Sequence, residues 1–347
     1  MATGSWPTLA DVTSRMTDAG EQHVIAEMLS QSVVLHEDAP YVEASEMTGH
    51  HFAYRTSIPA GAWRQMNQGT PYSKSTTDKS SVGLAELVDY SQVDRTLARI
   101  SGDVEGFRES EDVAFLEGMG QTIEQTLWYG NTVANPAECN GLSTFYNALG
   151  DAALNGANVI DGGGSGNSNA SLWLLGWAPG KLFLLFPRGS KAGLAMEDLS
   201  ESMSGYDSLG NPFRAYTMWF QQFIGLCPQD WRYSGRIANI DVTSAGLSGP
   251  NALDIFATIR QMLLFPPNMT KATSGITKVD SPRDPGTGVR FVIYSNRTVR
   301  HWADVQAMRD RNVLLRLEDY AGKPTMGIDE IPWKVSDQLL TTEQRVT

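Results

Sequence analysis

The chain has 347 residues, 41% of them hydrophobic, which is enough to bury a sizeable core in about two domains. Its 27 basic and 39 acidic side chains give a formal charge of −12. This balance argues against a nucleic-acid backbone as the main ligand, because binding phosphates needs a basic surface. The only cysteines, Cys139 and Cys227, exclude a disulfide framework or zinc-finger spacing within one chain and indicate folding in a reducing compartment.

The N-terminus lacks a basic segment followed by an apolar one, so we expect neither a signal peptide nor a membrane-embedded chain. The acidic side chains are concentrated in residues 1–130, which hold 19 acidic and 8 basic residues, whereas the remainder holds 20 and 19. One interpretation is a solvated face. The other is a surface that lies near a polyanion without binding it.

Residues 1–46 have the pattern of an arm with one amphipathic helix, expected over residues 21–35 with Ile25, Met28 and Leu29 on one stripe. The rest of the helix is mostly polar. We therefore expect it to dock on a shallow surface.

A long hairpin is predicted between Thr48 and Asp94. Apolar and polar residues alternate from Phe52 to Ile58, which predicts a β-strand, and Pro59–Gly61 predicts a turn. A polar return arm follows over Gly69–Lys79. Two strands without a partner layer are marginally stable in water. The hairpin therefore needs a covering surface, either in the same chain or in a neighbouring copy.

After the hairpin the sequence predicts a strand over Leu84–Tyr90, a short helix closed by Gly102, and a long helix over Ser110–Tyr129. Ser110 is the expected N-cap, and Gly130 is placed to end the helix. At 1.5 Å per residue this helix would be a rod of roughly 30 Å. Its apolar face is formed by Val113, Phe115, Leu116, Met119, Ile123 and Leu127.

The remaining elements mix helices and strands without a regular βαβ repeat, which favours an α+β fold over a doubly wound parallel sheet. Ala215–Leu226 and Trp231–Asp241 are expected to pair as a hairpin. The other expected strands are Leu172–Trp177, Leu182–Phe186, Val289–Tyr294, Val313–Leu317 and Ile331–Val335, and the expected helices are Leu253–Phe265 and one from Asn296 to Arg311.

No residue pattern predicts chemistry. His50 and His51 would point to opposite faces of a strand, and the pair His301 and Asp304 is too common on helices to indicate a site. The glycine-rich run at residues 162–167 lacks the lysine of a phosphate-binding loop. We therefore expect no catalytic residues, no metal site and no cofactor.

Several segments, taken in order, carry a resemblance to a known family. They are Trp63-Arg64 in the hairpin, Phe107–Asp112 and Leu127–Asn131 at the two ends of the long helix, Phe186–Leu194 followed by Glu197–Leu199, and Trp231–Tyr233 leading to Arg236–Asp241. The chain resembles the major capsid proteins of tailed bacteriophages, which share the Johnson fold. The resemblance covers the whole chain and is strongest from Pro59 to Asp241. The ordered set is what supports it, since no single segment is diagnostic.

By this resemblance the chain divides into an N-terminal arm (1–46), an extended E-loop (47–83), a P-domain with a spine helix (84–142), an A-domain (143–275) and a return to the P-domain (276–347). The resemblance implies a structural virion protein that self-assembles into hexamers and pentamers of an icosahedral shell enclosing double-stranded DNA. Assembly would take place in the host bacterial cytoplasm. Expected partners are identical subunits, a scaffold, a portal and a decoration or cement protein, with DNA nearby but not specifically bound and no membrane.

We expect the hairpin to contact a neighbouring subunit. In this hypothesis Trp63 is the apolar anchor, and basic hairpin residues pair with acidic residues of the adjacent P-domain. The alternative is that Trp63 packs on its own domain and the charges are solvated. The expected contact residues are Arg55, Trp63, Arg64, Tyr72, Lys74, Arg108, Glu109, Glu111 and Asp112.

Three other functions stay open from the sequence. An encapsulin-like bacterial compartment has the same fold and encloses enzyme cargo. A hydrolase with an unrecognised site, or a decoration protein, is a less favoured reading, because no base and nucleophile are placed together and decoration rarely needs a rod plus a donated arm.

Overall fold

The computed structural model describes residues 31, 33–150, 156–200, 205–206, 209–243, 252–266, 289–309, 315–320, 323–328 and 331–347. Most of the helix expected over residues 21–35 lies outside them. The helices are α1 (Leu35–Asp38), α2 (Arg95–Ile100), α3 (Val104–Tyr129), α4 (Leu142–Phe145), α5 (Ile255–Met262) and α6 (Arg297–Arg309). The strands are β1 (Tyr41–Glu43), β2 (Gly49–Ser57), β3 (Thr76–Gly83), β4 (Ala85–Asp94), β5 (Val159–Asp161), β6 (Asn169–Trp177), β7 (Leu182–Phe186), β8 (Leu194–Asp198), β9 (Gly205–Tyr206), β10 (Pro212–Phe213), β11 (Ala215–Pro228), β12 (Ser234–Asp241), β13 (Arg290–Ser295), β14 (Leu315–Tyr320), β15 (Lys323–Ile328) and β16 (Ile331–Val335).

Strand β6 lies in the middle of the main sheet, and all of its residues are buried. Side chains of a strand alternate between its two faces. Trp173, Leu175 and Trp177 therefore pack in one core, with α3, while Leu172 and Leu174 pack in another, with α5 and α6. The main sheet is thus covered by helices on both sides, which confirms the predicted mixed α+β class.

The long helix α3 begins earlier than predicted. Its N-cap is Asp103, whose carboxylate accepts a hydrogen bond from the Gly106 N–H at 3.0 Å. Ser110, the predicted cap, instead lies inside the helix and donates to the Phe107 carbonyl. Buried Phe107 adds an apolar contact to the extra turn. The helix has 26 residues, or about 39 Å, and ends at Gly130 as predicted.

The predicted hairpin between β11 and β12 is wrong. β12 pairs with β6 and β5, whereas β11 pairs with β7 at one end and with β4 and β8 at the other. Asp230 accounts for the divergence, because it caps a short 3₁₀ turn over Trp231–Tyr233 and binds Lys181 at 2.9 Å, beside the start of β7. The turn directs β12 away from β11.

The long strand β11 joins the main sheet to a smaller three-stranded sheet of order β8, β11, β4. Helix α3 packs on one face of this smaller sheet, because Leu87 and Phe220 point toward it and Met119 lies beside Leu87. In the described part of the chain β4 pairs with β11 and with no other strand. One edge of the smaller sheet is therefore open.

Glu124 is a buried carboxylate on α3 that binds the backbone at the start of α1. It accepts hydrogen bonds from the N–H of Val34 at 2.7 Å and of Leu35 at 3.4 Å, and from the Ser336 hydroxyl. Burial raises the pKa of Glu124, although these hydrogen bonds oppose the shift. The Glu124 side chain thus holds residues 34–35, α3 and the C-terminal segment together.

The C-terminal segment is part of the core. Arg236 on β12 and Glu343 form an ion pair at 2.9 Å with side chains 4% and 5% exposed. Arg236 also donates to the Tyr146 carbonyl and the Ser171 hydroxyl, and Tyr129 donates to Glu343. The pair has its hydrogen bonds satisfied, as a buried ion pair requires.

Candidate inter-subunit contact surface

The segment from Gly49 to Gly83 forms a separate two-stranded sheet, made by β2 and β3 pairing in antiparallel register from Gly49↔Gly83 to Ser57↔Thr76. We call β2, β3 and the connecting residues 58–75 the hairpin. The end of the hairpin next to the main sheet packs on β7 and β11 through Phe52 and Val82. Every residue from Arg55 to Lys79 is exposed. Within one subunit, the outer part of the hairpin is covered by none of the described residues.

The connecting residues carry large apolar side chains in water. Trp63 and Tyr72 are both 105% exposed relative to a reference chain, Met66 is 91% exposed and Ile58 is 81% exposed. Single exposed apolar residues are normal, but several on one projecting loop indicate a contact surface. None of the described residues covers Trp63.

The hairpin is basic, whereas the chain as a whole is acidic. Residues 51–83 hold four basic residues and one acidic residue. Residues 103–129, which include α3, hold six acidic residues besides the buried Glu124, and one basic residue. Two surfaces of opposite charge therefore exist on each subunit, and their attraction would orient a contact between copies.

Two of the expected contact residues on α3, Arg108 and Asp112, are already engaged within the chain. Arg108 donates to Asp198 on β8 at 2.8 Å, and its guanidinium lies 4.8 Å from the centre of the Tyr216 ring. Asp112 is bonded to the Ser91 hydroxyl, and burial raises its pKa against the opposing effect of Ser91 and Arg108. Glu109 is exposed. In one subunit, Arg108 and Asp112 therefore also hold α3 on the smaller sheet.

The Arg108–Asp198 pair predicts a small pH effect. Burial alone would raise the pKa of Asp198, but Arg108 and Ser200 outweigh it and lower the pKa to about 2. Because the folded-state pKa is depressed, the stabilisation is present above the ordinary value of 3.8 and is lost as pH falls through about 2. Asp198→Asn should lower stability by about 0.5–1 kcal/mol at pH 6.

Thermal unfolding of both proteins between pH 2 and pH 6 checks this prediction. The difference between them should shrink toward zero at the acid end. A difference that stays constant over this range would contradict the assigned pairing.

A shallow apolar groove lies between the open edge of β4 and helix α3, with a volume of about 360 Å³. It was not predicted from the sequence, although Phe115 and Met119 were assigned to the apolar face of the helix. In the structure Met119 is buried, whereas Phe115 is only partly buried. The groove is lined chiefly by Leu87, Val88, Ala114, Phe115, Gly118 and Met119, with Asp89 at its rim.

Among the described residues, no group of three or more His, Cys, Asp or Glu side chains is arranged to hold a metal ion. Cys139 and Cys227 are buried, and burial raises their thiol pKa values to about 11 and about 12. Both thiols are protonated and shielded at neutral pH. No helix in the described ranges has the length and apolar character needed to span a bilayer.

The family model for major capsid protein GP7 matches residues 17–347 of this chain. The chain belongs to that family. A chain in the cryo-electron microscopy structure of bacteriophage Epsilon15 is 30% identical, with a TM-score of 0.72, and the similarity covers 100% of this chain and 99% of that one. None of the curated proteins matches.

A more distant phage capsid structure shares the fold. The capsid of bacteriophage JBD30 is 11% identical over 96% of this chain and 99% of that chain, with a TM-score of 0.51. The SrpI encapsulin of Synechococcus elongatus is 9% identical over 69% of this chain and 98% of that chain, with a TM-score of 0.43. The encapsulin-like alternative is not favoured, because the family model over residues 17–347 and the 30% identical structure are both of phage capsid proteins.

These similarities confirm the resemblance found in the sequence. The GP7-family protein is a major capsid protein of a tailed bacteriophage, has the Johnson fold, and forms the icosahedral shell of the virion as a homo-oligomer. Its family is a structural one and not a family of enzymes.

Proposed function

We propose that the hairpin is the E-loop of this capsid protein and that the hairpin of each subunit packs on the neighbouring subunit. Through these contacts the capsomers close as hexamers and pentamers. The observation that supports this is the exposure of the whole stretch from Arg55 to Lys79, including Trp63 and Tyr72. A contact between identical subunits that joins two different surface patches is head-to-tail. It closes into rings when the rotation between subunits allows.

Apolar burial supplies most of the energy of this contact. A large aromatic side chain buries about 150–250 Å², which at about 25 cal/mol per Å² stabilises by roughly 4–6 kcal/mol before the cost of association. Exposed ion pairs add only about 0–1 kcal/mol each. Arg55, Arg64 and Lys74 therefore set the register against acidic residues such as Glu109, Glu111 and Asp112, and Trp63 provides the anchor.

The domain division follows the same proposal. Residues 1–46 are the N-terminal arm, 47–83 the E-loop, 84–142 the P-domain with α3 as spine helix, 143–275 the A-domain, and 276–347 the return to the P-domain. The main sheet and the smaller sheet that share β11 are consistent with two such units. A separate scaffold, a portal and a decoration or cement protein are the proposed partners.

The acidic first part of the chain has a role in this proposal. If the arm and spine helix face the interior, their negative charge keeps packaged double-stranded DNA from adhering to the shell. Assembly takes place in the host bacterial cytoplasm before packaging.

Trp63→Ala tests the contact made by the hairpin. Because none of the described residues buries Trp63, its loss should leave the unfolding temperature unchanged. The concentration needed for assembly should rise at least about tenfold, which corresponds to 1.4 kcal/mol per contact. Light scattering and negative-stain microscopy of purified protein measure both capsomers and shells.

Two controls accompany this test. Trp63→Phe should recover most of the assembly, because it keeps an aromatic ring, and Val133→Ala changes an 89% exposed residue outside the hairpin. Normal shells from Trp63→Ala at the wild-type concentration would remove the anchor role.

A further inference from the structure

The groove between β4 and α3 is an apolar surface left open in the subunit. Phe115 and Leu87 are only partly buried, although each faces the sheet–helix interface, and Gly118 leaves a gap in the helix surface between them. A Cβ atom built on Gly118 meets no atom within 4 Å. The gap is therefore not filled by a neighbouring side chain of the described residues.

The size and surroundings of the groove fit one kind of occupant. A volume of about 360 Å³ is sufficient for an indole ring. Asp89 lies at the rim, and Asp112 is bonded to Ser91, two residues further along the same strand. The unpaired edge of β4 also offers backbone N–H and C=O groups to an extended chain. An aromatic side chain on an extended, basic segment matches all three features.

Two aromatic side chains of the hairpin, Trp63 and Tyr72, are fully exposed, and Trp63 carries the larger, indole ring. Trp63 also precedes Arg64, and it lies in the basic hairpin within the irregular stretch between β2 and β3. We propose that the groove between β4 and α3 of one subunit receives Trp63 of a second copy of this chain. This inference rests on the proposed function, and it adds the receiving site.

The receiving site is tested by filling it. Gly118→Leu places a side chain in the groove where the fold has room, so the unfolding temperature should not fall. The concentration needed for assembly should rise at least about tenfold, as for Trp63→Ala. Val113→Leu is the matched control, because Val113 is 44% exposed and lies five residues earlier, about 140° around the same helix. It should assemble normally.

Cross-linking supplies a second measurement that does not depend on blocking. Ala62→Cys leaves Trp63 in place, and Gly118→Cys adds a thiol in the groove wall; both native cysteines are buried, which gives a low background. Chains with one substitution each are co-expressed, assembled and treated with a short bismaleimide. We expect cross-linked dimers for Ala62→Cys with Gly118→Cys and none for Ala62→Cys with Val113→Cys.

The outcomes separate the two proposals. Suppose that Trp63→Ala blocks assembly, that Gly118→Leu assembles normally, and that Ala62→Cys with Gly118→Cys gives no cross-links. The hairpin then binds the neighbouring subunit, but not in this groove. If Trp63→Ala assembles normally, Trp63 has no anchor role and the proposed receiving site is overturned with it. If Gly118→Leu is destabilised, the cross-linking result decides. A chain that carries both Ala62→Cys and Gly118→Cys is the last arm of the test. Cross-links that stay within that one chain would place the hairpin on its own subunit and contradict both proposals.

Discussion

Arg236→Ala is expected to destabilise the folded subunit by about 3–5 kcal/mol, because it leaves the buried Glu343 carboxylate without its cation. Arg236 is 4% exposed, and its guanidinium also bonds the Tyr146 carbonyl and the Ser171 hydroxyl and lies 5.0 Å from the centre of the Trp173 ring. The substitution removes all of these contacts at once. Most of the loss comes from the charge left behind, since removing one partner of a buried pair costs more than the pair contributes.

Arg232→Ala is the matched control for this prediction. Arg232 also binds a carboxylate, Asp230, at 2.9 Å, but its side chain is 52% exposed and Asp230 keeps Lys181 as a second partner. Its loss should cost no more than about 1 kcal/mol. Urea unfolding of unassembled subunits measures both free energies. Equal effects of the two substitutions would contradict the role assigned to the buried pair.

Gly130→Ala is expected to destabilise the subunit by about 3 kcal/mol or more. Gly130 ends α3, and a Cβ atom there would lie 2.3 Å from the Cys139 carbonyl oxygen and 2.6 Å from the Thr126 carbonyl oxygen. Both are backbone atoms, and the Gly130 N–H donates to the second of them at 2.8 Å. The end of the helix or the loop after it must therefore move to accept a methyl group.

Gly118→Ala gives the opposite result on the same helix. Its added methyl group meets nothing within 4 Å, and alanine is favoured over glycine in a helix interior, so stability should rise by about 0.5–1 kcal/mol. Urea unfolding compares the two variants directly. Equal changes at the two positions would show that helix propensity, and not the close backbone approach at Gly130, decides the effect.

These two pairs of variants also prepare the assembly tests. Capsid subunits that do not fold cannot assemble, so a change in assembly is informative only at unchanged stability. Gly118 is the position where a side chain can be added without that complication. Trp63 is the position where one can be removed, because it is exposed in the subunit.

Local features of the fold were predicted well from the sequence. The end of α3 at Gly130, the strands β2, β6, β7 and β16, and the helix α6 capped by Asn296 were all expected. Each depends on periodicity or capping within a few residues. Family membership was also predicted, because an ordered set of such segments is preserved in the chain.

The pairing of strands was decided by the tertiary structure. β11 and β12 are consecutive and separated by a short turn, yet β12 pairs with β6, since β6 is buried on both faces and lies between two cores. The start of α3 depended likewise on Phe107, which is buried in a cluster with Val93 and Ala98. Periodicity indicates on which face of a helix or strand a side chain lies, but not which distant strand packs against that face.

The sequence by itself determined which segment needs a packing surface outside itself. This segment is the hairpin with Trp63 and Arg64, because its composition cannot build a core. Only the tertiary structure decided that Arg108 binds Asp198 and that a groove opens between β4 and α3. The reason is that a groove is formed by residues far apart in the chain, whose distance is fixed by packing of the whole subunit and not by any local pattern.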